Sequence, residues 1–241
     1  MKLAGDQHET KQRILRAAKR EFADRGYEGA RMFSISRKAG VNQALLHYHF
    51  GSKENLYLEV LHRLFGTEQK KRLAAFGEEW NLTPSQKLYL AIYVMVNLHL
   101  EAADPDFNRI IAREAGEGRG HLKKIIREYL VPLNDRFVDI IDEGVKSGDF
   151  ETKNSHFVVL SIVTFVVIYE SSRENFSGTP WEIELYGKNS KENVLNFMVE
   201  HTFKALRPGG KKLAIPNMPG WIIKEMDETI EKIKKENRLD A

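Results

Sequence analysis

The stretch Ala39 to Lys53, AGVNQALLHYHFGSK, constrains the fold more than any other part of the chain. Gly40 supplies a tight turn after a short helix that holds Met32, Ile35 and Ala39. Asn42 is a natural cap for a next helix over about Gln43–Phe50. Gly51-Ser52 then breaks the chain, and Ser52 can cap a fourth helix with Glu54 in its first turn. Upstream, Ile14, Leu15, Ala18 and Phe22 recur at helical spacing on a helix over about Glu9–Arg25, which Gly26 ends. A short helix, a tight turn and a small aromatic-rich helix make a helix-turn-helix, whose dominant use is to place its second helix in the major groove of DNA.

The rest of the chain also reads as helices, without strand-like alternation or repeats. The fourth helix carries Leu56, Val60, Leu61 and Leu64, and a looser stretch follows to Leu82. Thr83-Pro84 opens a helix to about Ala103, and Asp104-Pro105 opens a shorter one to Ala115. Gly116–Gly120, GEGRG, is a break; it lacks the preceding strand and the Gly-Lys-Ser/Thr ending of a phosphate loop. A long segment from His121 to Lys146 is kinked by Pro132, and Ser147–Asp149 ends it. Two helices follow, over about Ser155–Asn175 and Ser190–Leu206, separated by a loop around Gly178–Pro180. The tail has a Pro/Gly stretch, Pro216–Gly220, and a charged helix with Ile222, Met226, Ile230 and Ile233 on one stripe, which either docks on the body or a partner, or stays solvated.

The chain has 241 residues, enough for one large domain or two modest ones. It has no cysteine, which excludes disulfides, thiolate catalysis and Cys-ligated zinc and points to a reducing, cytoplasmic setting. The N-terminal MKLAGDQHETKQR has no apolar core and does not read as a signal peptide. The most apolar run, Phe157–Tyr169, is far shorter than the roughly 20 residues that cross a bilayer, so no membrane role is expected. Net charge is +3 but uneven: residues 1–53 hold 11 Lys/Arg against 5 Asp/Glu, and the remainder 26 against 29. A basic head on a mildly acidic body suits a phosphate-binding module joined to a domain with another task.

Residues 10–60 resemble the N-terminal domain of TetR-type transcriptional regulators. The resemblance rests on Ile14-Leu15 with Ala17-Ala18, Phe22, Gly26-Tyr27, Ile35, Ala39-Gly40-Val41, Tyr48-His49-Phe50, Ser52-Lys53-Glu54 and Leu56. Three positions depart from the pattern. Ala30-Arg31 stand where Thr or Ser usually opens the second helix, Ser36 replaces an alanine, and His47 replaces a tyrosine. The resemblance implies an all-α protein, with an N-terminal three-helix DNA-binding domain and a C-terminal helical domain that binds a ligand and dimerises. The corresponding division is 1–53 for the DNA-binding domain, 54–207 for the ligand-binding and dimerisation domain, and 208–241 for the tail. The helices near 155–175 and 190–206 stand where such proteins form their dimer interface.

Only side chains near the start of the third helix and on its outer face can reach base edges. Asn42, Gln43, Ala44 and His47 meet this condition; Gln43 can pair bidentately with adenine and Ala44 can touch a thymine methyl. Tyr48, His49 and Lys53 are expected on phosphates, with Lys53 kept by the family pattern, and Arg31, Arg37 and Lys38 are further phosphate candidates. Leu45 and Phe50 are expected to face inward. His47-x-His49 is not a metal pair, because residues i and i+2 do not share a helix face. In the body, candidate ligand contacts are Tyr93, Asn97, Arg113, Phe137, Phe165, Tyr169 and Glu170, polar or aromatic residues on otherwise apolar helices.

These readings predict a homodimeric, ligand-responsive repressor that binds a near-palindromic double-stranded DNA operator and is released by a small-molecule effector, with no cofactor. An enzyme is not expected, since neither Gly-x-Ser-x-Gly nor HExxH nor a paired-carboxylate motif is present. The alternative is an architectural DNA binder or adaptor that senses nothing.

Overall fold

The structure, a computed structural model, describes residues 2–64, 80–100, 106, 109–110, 113–114, 120–210 and 214–239. The expected loose stretch after Leu64, most of the expected 104–115 helix and most of GEGRG lie outside the described residues. Every described element is helical: α1 (Lys2–Gly29), α2 (Met32–Lys38), α3 (Gln43–Phe50), α4 (Lys53–Leu64), α5 (Pro84–His99), α6 (Gly120–Ile125), α7 (Val131–Ser147), α8 (Ser155–Ser171), α9 (Pro180–Tyr186), α10 (Ser190–Ala205) and α11 (Gly220–Leu239), with short 3-10 turns at Glu174–Phe176 and Pro208–Gly210. Among the described residues no helix is long and apolar enough to cross a membrane.

The chain divides into two compact units. The first comprises residues 1–70, 104–131 and 235–241; the second comprises 71–103 and 132–234. The boundary therefore does not fall at residue 53, because α4 packs on α1 and shares its core.

In the first unit, Ile14, Leu15, Ala18 and Phe22 of α1 are buried with Ile35 of α2, Leu46 and Phe50 of α3, and Leu56, Val60 and Leu61 of α4. The apolar spacing read from the sequence is thus the packing face. Helix α1 is longer than expected. Gly26 interrupts it with φ 66° and ψ 178°, a conformation open to glycine alone, and the chain then winds one more turn to Gly29. Tyr57 of α4 buries its ring edge-on to Phe22, with centroids 4.6 Å apart. Its hydroxyl donates to buried Glu114 at 2.8 Å.

Downstream of α6 the helix widens to a π turn over Ile126–Leu130 before α7 begins. Pro132, which cannot donate a backbone hydrogen bond, stands second in α7, directly after this wider turn.

The second unit packs α5, α7, α8 and α10 around Leu88, Ile92, Val96, Phe137, Ile141, Val159, Ile162, Val166, Met198 and Phe203. Thr83 caps α5 in a reciprocal box with Gln86, and Pro84 fills the first turn. A separate cluster joins the opposite face of α5 to the tail. Leu90 is buried with Ile222, Met226 and Ile233 of α11, and Trp80, Tyr93, Val94 and Leu98 pack around them. Of the three fates open to the tail stripe, docking on the body is the one seen in this chain.

Candidate nucleic-acid interface

Helix α3 is fixed at both ends by local chemistry. The Asn42 side chain accepts from the Leu45 amide at 2.7 Å. This makes it the cap, and it commits the oxygen of that side chain to the backbone. Gly40, at φ 66°, makes the turn that leads into it. Below α3, Ser52 accepts from the Asn55 amide at 3.0 Å and caps α4. Helix α2 has no side-chain cap, in keeping with the Ala30-Arg31 departure. The Ser36 departure is accommodated: its buried hydroxyl donates to the Phe33 carbonyl at 3.0 Å.

The inward face of α3 is Leu46 and Phe50. Leu46, not Leu45, is the residue driven into the core, because one helical turn separates it from Phe50; Leu45 is only half-buried. The outward face carries Asn42, Gln43, Ala44, His47 and Tyr48, all exposed, with Tyr48 at 75%. His49 is half-buried and meets Tyr48 edge-on. A short rod anchored by two apolar side chains, with a run of amide, methyl, imidazole and phenol outside, can present base-reading groups without unfolding.

The basic residues sort into two kinds. The side chains of Arg31 and Arg37 are exposed at either end of α2 and take no partner among the described residues. Lys53 and Lys38 are engaged. Lys53 donates to the Glu28 carbonyl at 3.1 Å and stands 4.7 Å over the Tyr27 ring, tying the start of α4 to the end of α1. Lys38 donates to Glu21 at 2.7 Å.

Glu21 is a residue that positions α2 and that sequence reading missed. It is 1% exposed on α1, and its carboxylate also accepts from Ser34 at 3.0 Å. It thereby holds α2 by its first turn and its last residue. Burial pushes its pKa up, but the hydrogen bonds from Lys38 and Ser34, with the charges of Lys38 and Arg25, hold it below the ordinary carboxylate range. A depressed native pKa contributes stability above the unfolded value and loses it as pH falls through the native one. Glu21→Ala should therefore cost about 1–2 kcal/mol near neutrality. Paired melting curves should show the gap closing as Glu21 protonates; a gap constant with pH would contradict the clamp.

The body candidates are less unified. Tyr93 donates to Asp227 of α11 at 2.5 Å. Its burial, together with that bond, raises the phenol well above its ordinary range. Buried Asn97 donates to the Tyr93 carbonyl at 2.8 Å, a bond within its own helix. Phe137 is core. On α8, Phe165 stacks with Tyr169 at 6.0 Å and meets Phe197 at 5.2 Å. The buried Tyr169 hydroxyl donates to the Leu185 carbonyl. Glu170 pairs with Arg173 at 3.4 Å.

Arg113 does not join these residues. It belongs to the first unit, where it donates to the Ala23 and Asp24 carbonyls at 3.2 and 3.0 Å and ties down the end of α1. Carbonyls left free near a helix end attract a guanidinium, which is why this arginine is a strut.

Comparison with known proteins agrees with this division. Residues 14–60 match the family described as bacterial regulatory proteins, tetR family, and residues 84–201 match a tetracyclin repressor-like C-terminal domain. The chain is 26% identical over 210 residues to the transcriptional repressor NicS of Pseudomonas putida, covering 82% of this chain and 92% of NicS. It is 26% identical over 193 residues to the transcriptional regulator RutR of Escherichia coli, covering 79% and 89%. Among solved structures, that of HlyIIR, a hemolysin II transcriptional regulator, aligns with a TM-score of 0.55 at 26% identity, covering 79% of this chain and 97% of HlyIIR. An exposed, capped recognition helix and a helical body matched along most of their length lead to one conclusion: the chain belongs to the TetR family and is a DNA-binding transcriptional regulator.

Proposed function

We propose that the protein is a homodimeric repressor that acts in the cytoplasm without a catalytic step. Each protomer lays α3 in one major groove of a near-palindromic operator, with half-sites about one helical turn, ~34–36 Å, apart or a multiple of it. The observation that carries this reading is the geometry of α3: Leu46 and Phe50 are buried while Gln43, Ala44, His47 and Tyr48 stand outside. DNA binding resides in residues 1–53, braced by α4.

Dimerisation is supported by α8, whose exposed face is largely apolar. Phe157, Leu160, Val167 and Ile168 are exposed opposite its buried face, and Phe197 of α10 is exposed too. A helix of this kind is stable when both faces are covered. Release by a small molecule rests on the C-terminal domain match; such a molecule acts only by binding one arrangement of the two heads better than the other.

Two substitutions test the assigned roles. Gln43→Ala should relax discrimination at one base position by about 1–3 kcal/mol, and Arg37→Ala should weaken all duplexes alike and reduce the salt slope by about one. Quantitative binding to a panel of single-base operator variants reads both. Equal loss of affinity and selectivity in the two variants would overturn the reading.

A further inference from the structure

The departure at His47 has a chemical consequence. His47 is exposed on the outer face of α3, and its Nδ1 lies 2.9 Å from the Gly51 carbonyl oxygen. A carbonyl oxygen can only accept, so Nδ1 carries the proton in that bond. The neutral ring is thereby fixed as one tautomer. Its Nε2 keeps a lone pair and takes no partner among the described residues. The bond also restrains the ring: Gly51 closes α3 and donates its own amide to the His47 carbonyl at 2.8 Å, so side chain and backbone of His47 are both tied to the same turn.

We propose that His47 is a specificity-determining residue that reads an exocyclic amino group in the major groove, N6 of adenine or N4 of cytosine. The inference rests on the reading of α3 as the recognition helix. In the major groove those two amines are the hydrogen-bond donors, while guanine presents N7 and O6 and thymine presents O4, all acceptors. A lone pair at Nε2 is matched by the amines and opposed by the acceptors. It is opposed by phosphate oxygens as well, so the neutral ring does not serve as a backbone contact. The tyrosine usual at this position has a hydroxyl that can donate or accept and makes no such choice. The imidazole converts an adaptable contact into a selective one.

The experiment starts from duplexes selected out of a random pool by the wild-type protein at about pH 8. Each adenine of the selected site is replaced in turn by purine, and each cytosine by 2-pyrimidinone, which removes one exocyclic amine at a time. Affinities are measured for the wild type and for His47→Phe, which keeps an aromatic ring and removes both nitrogens. One position per half-site should cost the wild type about three- to tenfold and cost His47→Phe nothing beyond its pairing defect. Melting curves of the two proteins establish that both are folded. The proposal is overturned if no position distinguishes them, or if His47→Phe weakens every duplex by the same factor, which is the signature of a phosphate contact. Failure of the wild type to select any duplex would instead overturn the reading of α3 itself.

Discussion

Replacing Met226 with aspartate should cost the protein more than about 4 kcal/mol, enough to bring a domain of ordinary stability close to unfolding. Met226 is buried on α11 among Leu90, Ile222 and Ile233, with Trp80, Tyr93, Val94 and Leu98 around them. A carboxylate introduced there has an apolar neighbourhood and must either stay unpaired or take up a proton. Lys224→Asp introduces the same group on the exposed face of the same helix, and should change stability by no more than about 0.5 kcal/mol. Urea unfolding of the two variants measures the difference. Equal midpoints would mean that α11 does not contribute to the fold and that the Tyr93–Asp227 hydrogen bond is incidental.

The second large effect is at Leu46. It is fully buried at the junction of α3 with α1, α2 and α4, and Leu46→Ala should cost about 2–5 kcal/mol through lost contacts and the cavity left behind. Because α3 has only eight residues and two buried anchors, that loss unmoors the helix as well as weakening the core. Operator affinity should fall with stability. Leu45→Ala, half-buried one position away, should retain both. If Leu45→Ala proved the more damaging, α3 would be rotated from the orientation described, and Gln43 and His47 would no longer share its outer face.

The helix-turn-helix was legible in the sequence because its determinants are local. Asn42 caps α3, Ser52 caps α4, Gly40 turns the chain, and Ile14, Ala18 and Phe22 keep a strict helical period. Each acts within a few residues of itself, where spacing alone carries the information. What was not legible depends on partners far along the chain. Glu21 sits in a run that reads as ordinary charged helix, and only the fold brings Ser34 and Lys38 to it. Arg113 was placed with the ligand candidates because it lies on a helix of the body by sequence. Its partners, the Ala23 and Asp24 carbonyls, are 90 and 89 residues away. The tail stripe was recognised, but a stripe does not name what covers it; Leu90 and Tyr93 of α5 do. Leu45 and Leu46 are adjacent and chemically identical, so composition could not choose between them, and the turn from Leu46 to Phe50 decides.

The account stands on α3 reading duplex DNA from the major groove. Dimethyl sulfate footprinting on a selected duplex addresses this directly, because guanine N7 opens to the major groove and adenine N3 to the minor. The predicted result is protection of guanine N7 in two patches about one helical turn, ~10 base pairs, apart or a multiple of it, fading as salt is raised. Tight binding that leaves every N7 reactive, or that shields only adenine N3, would contradict it.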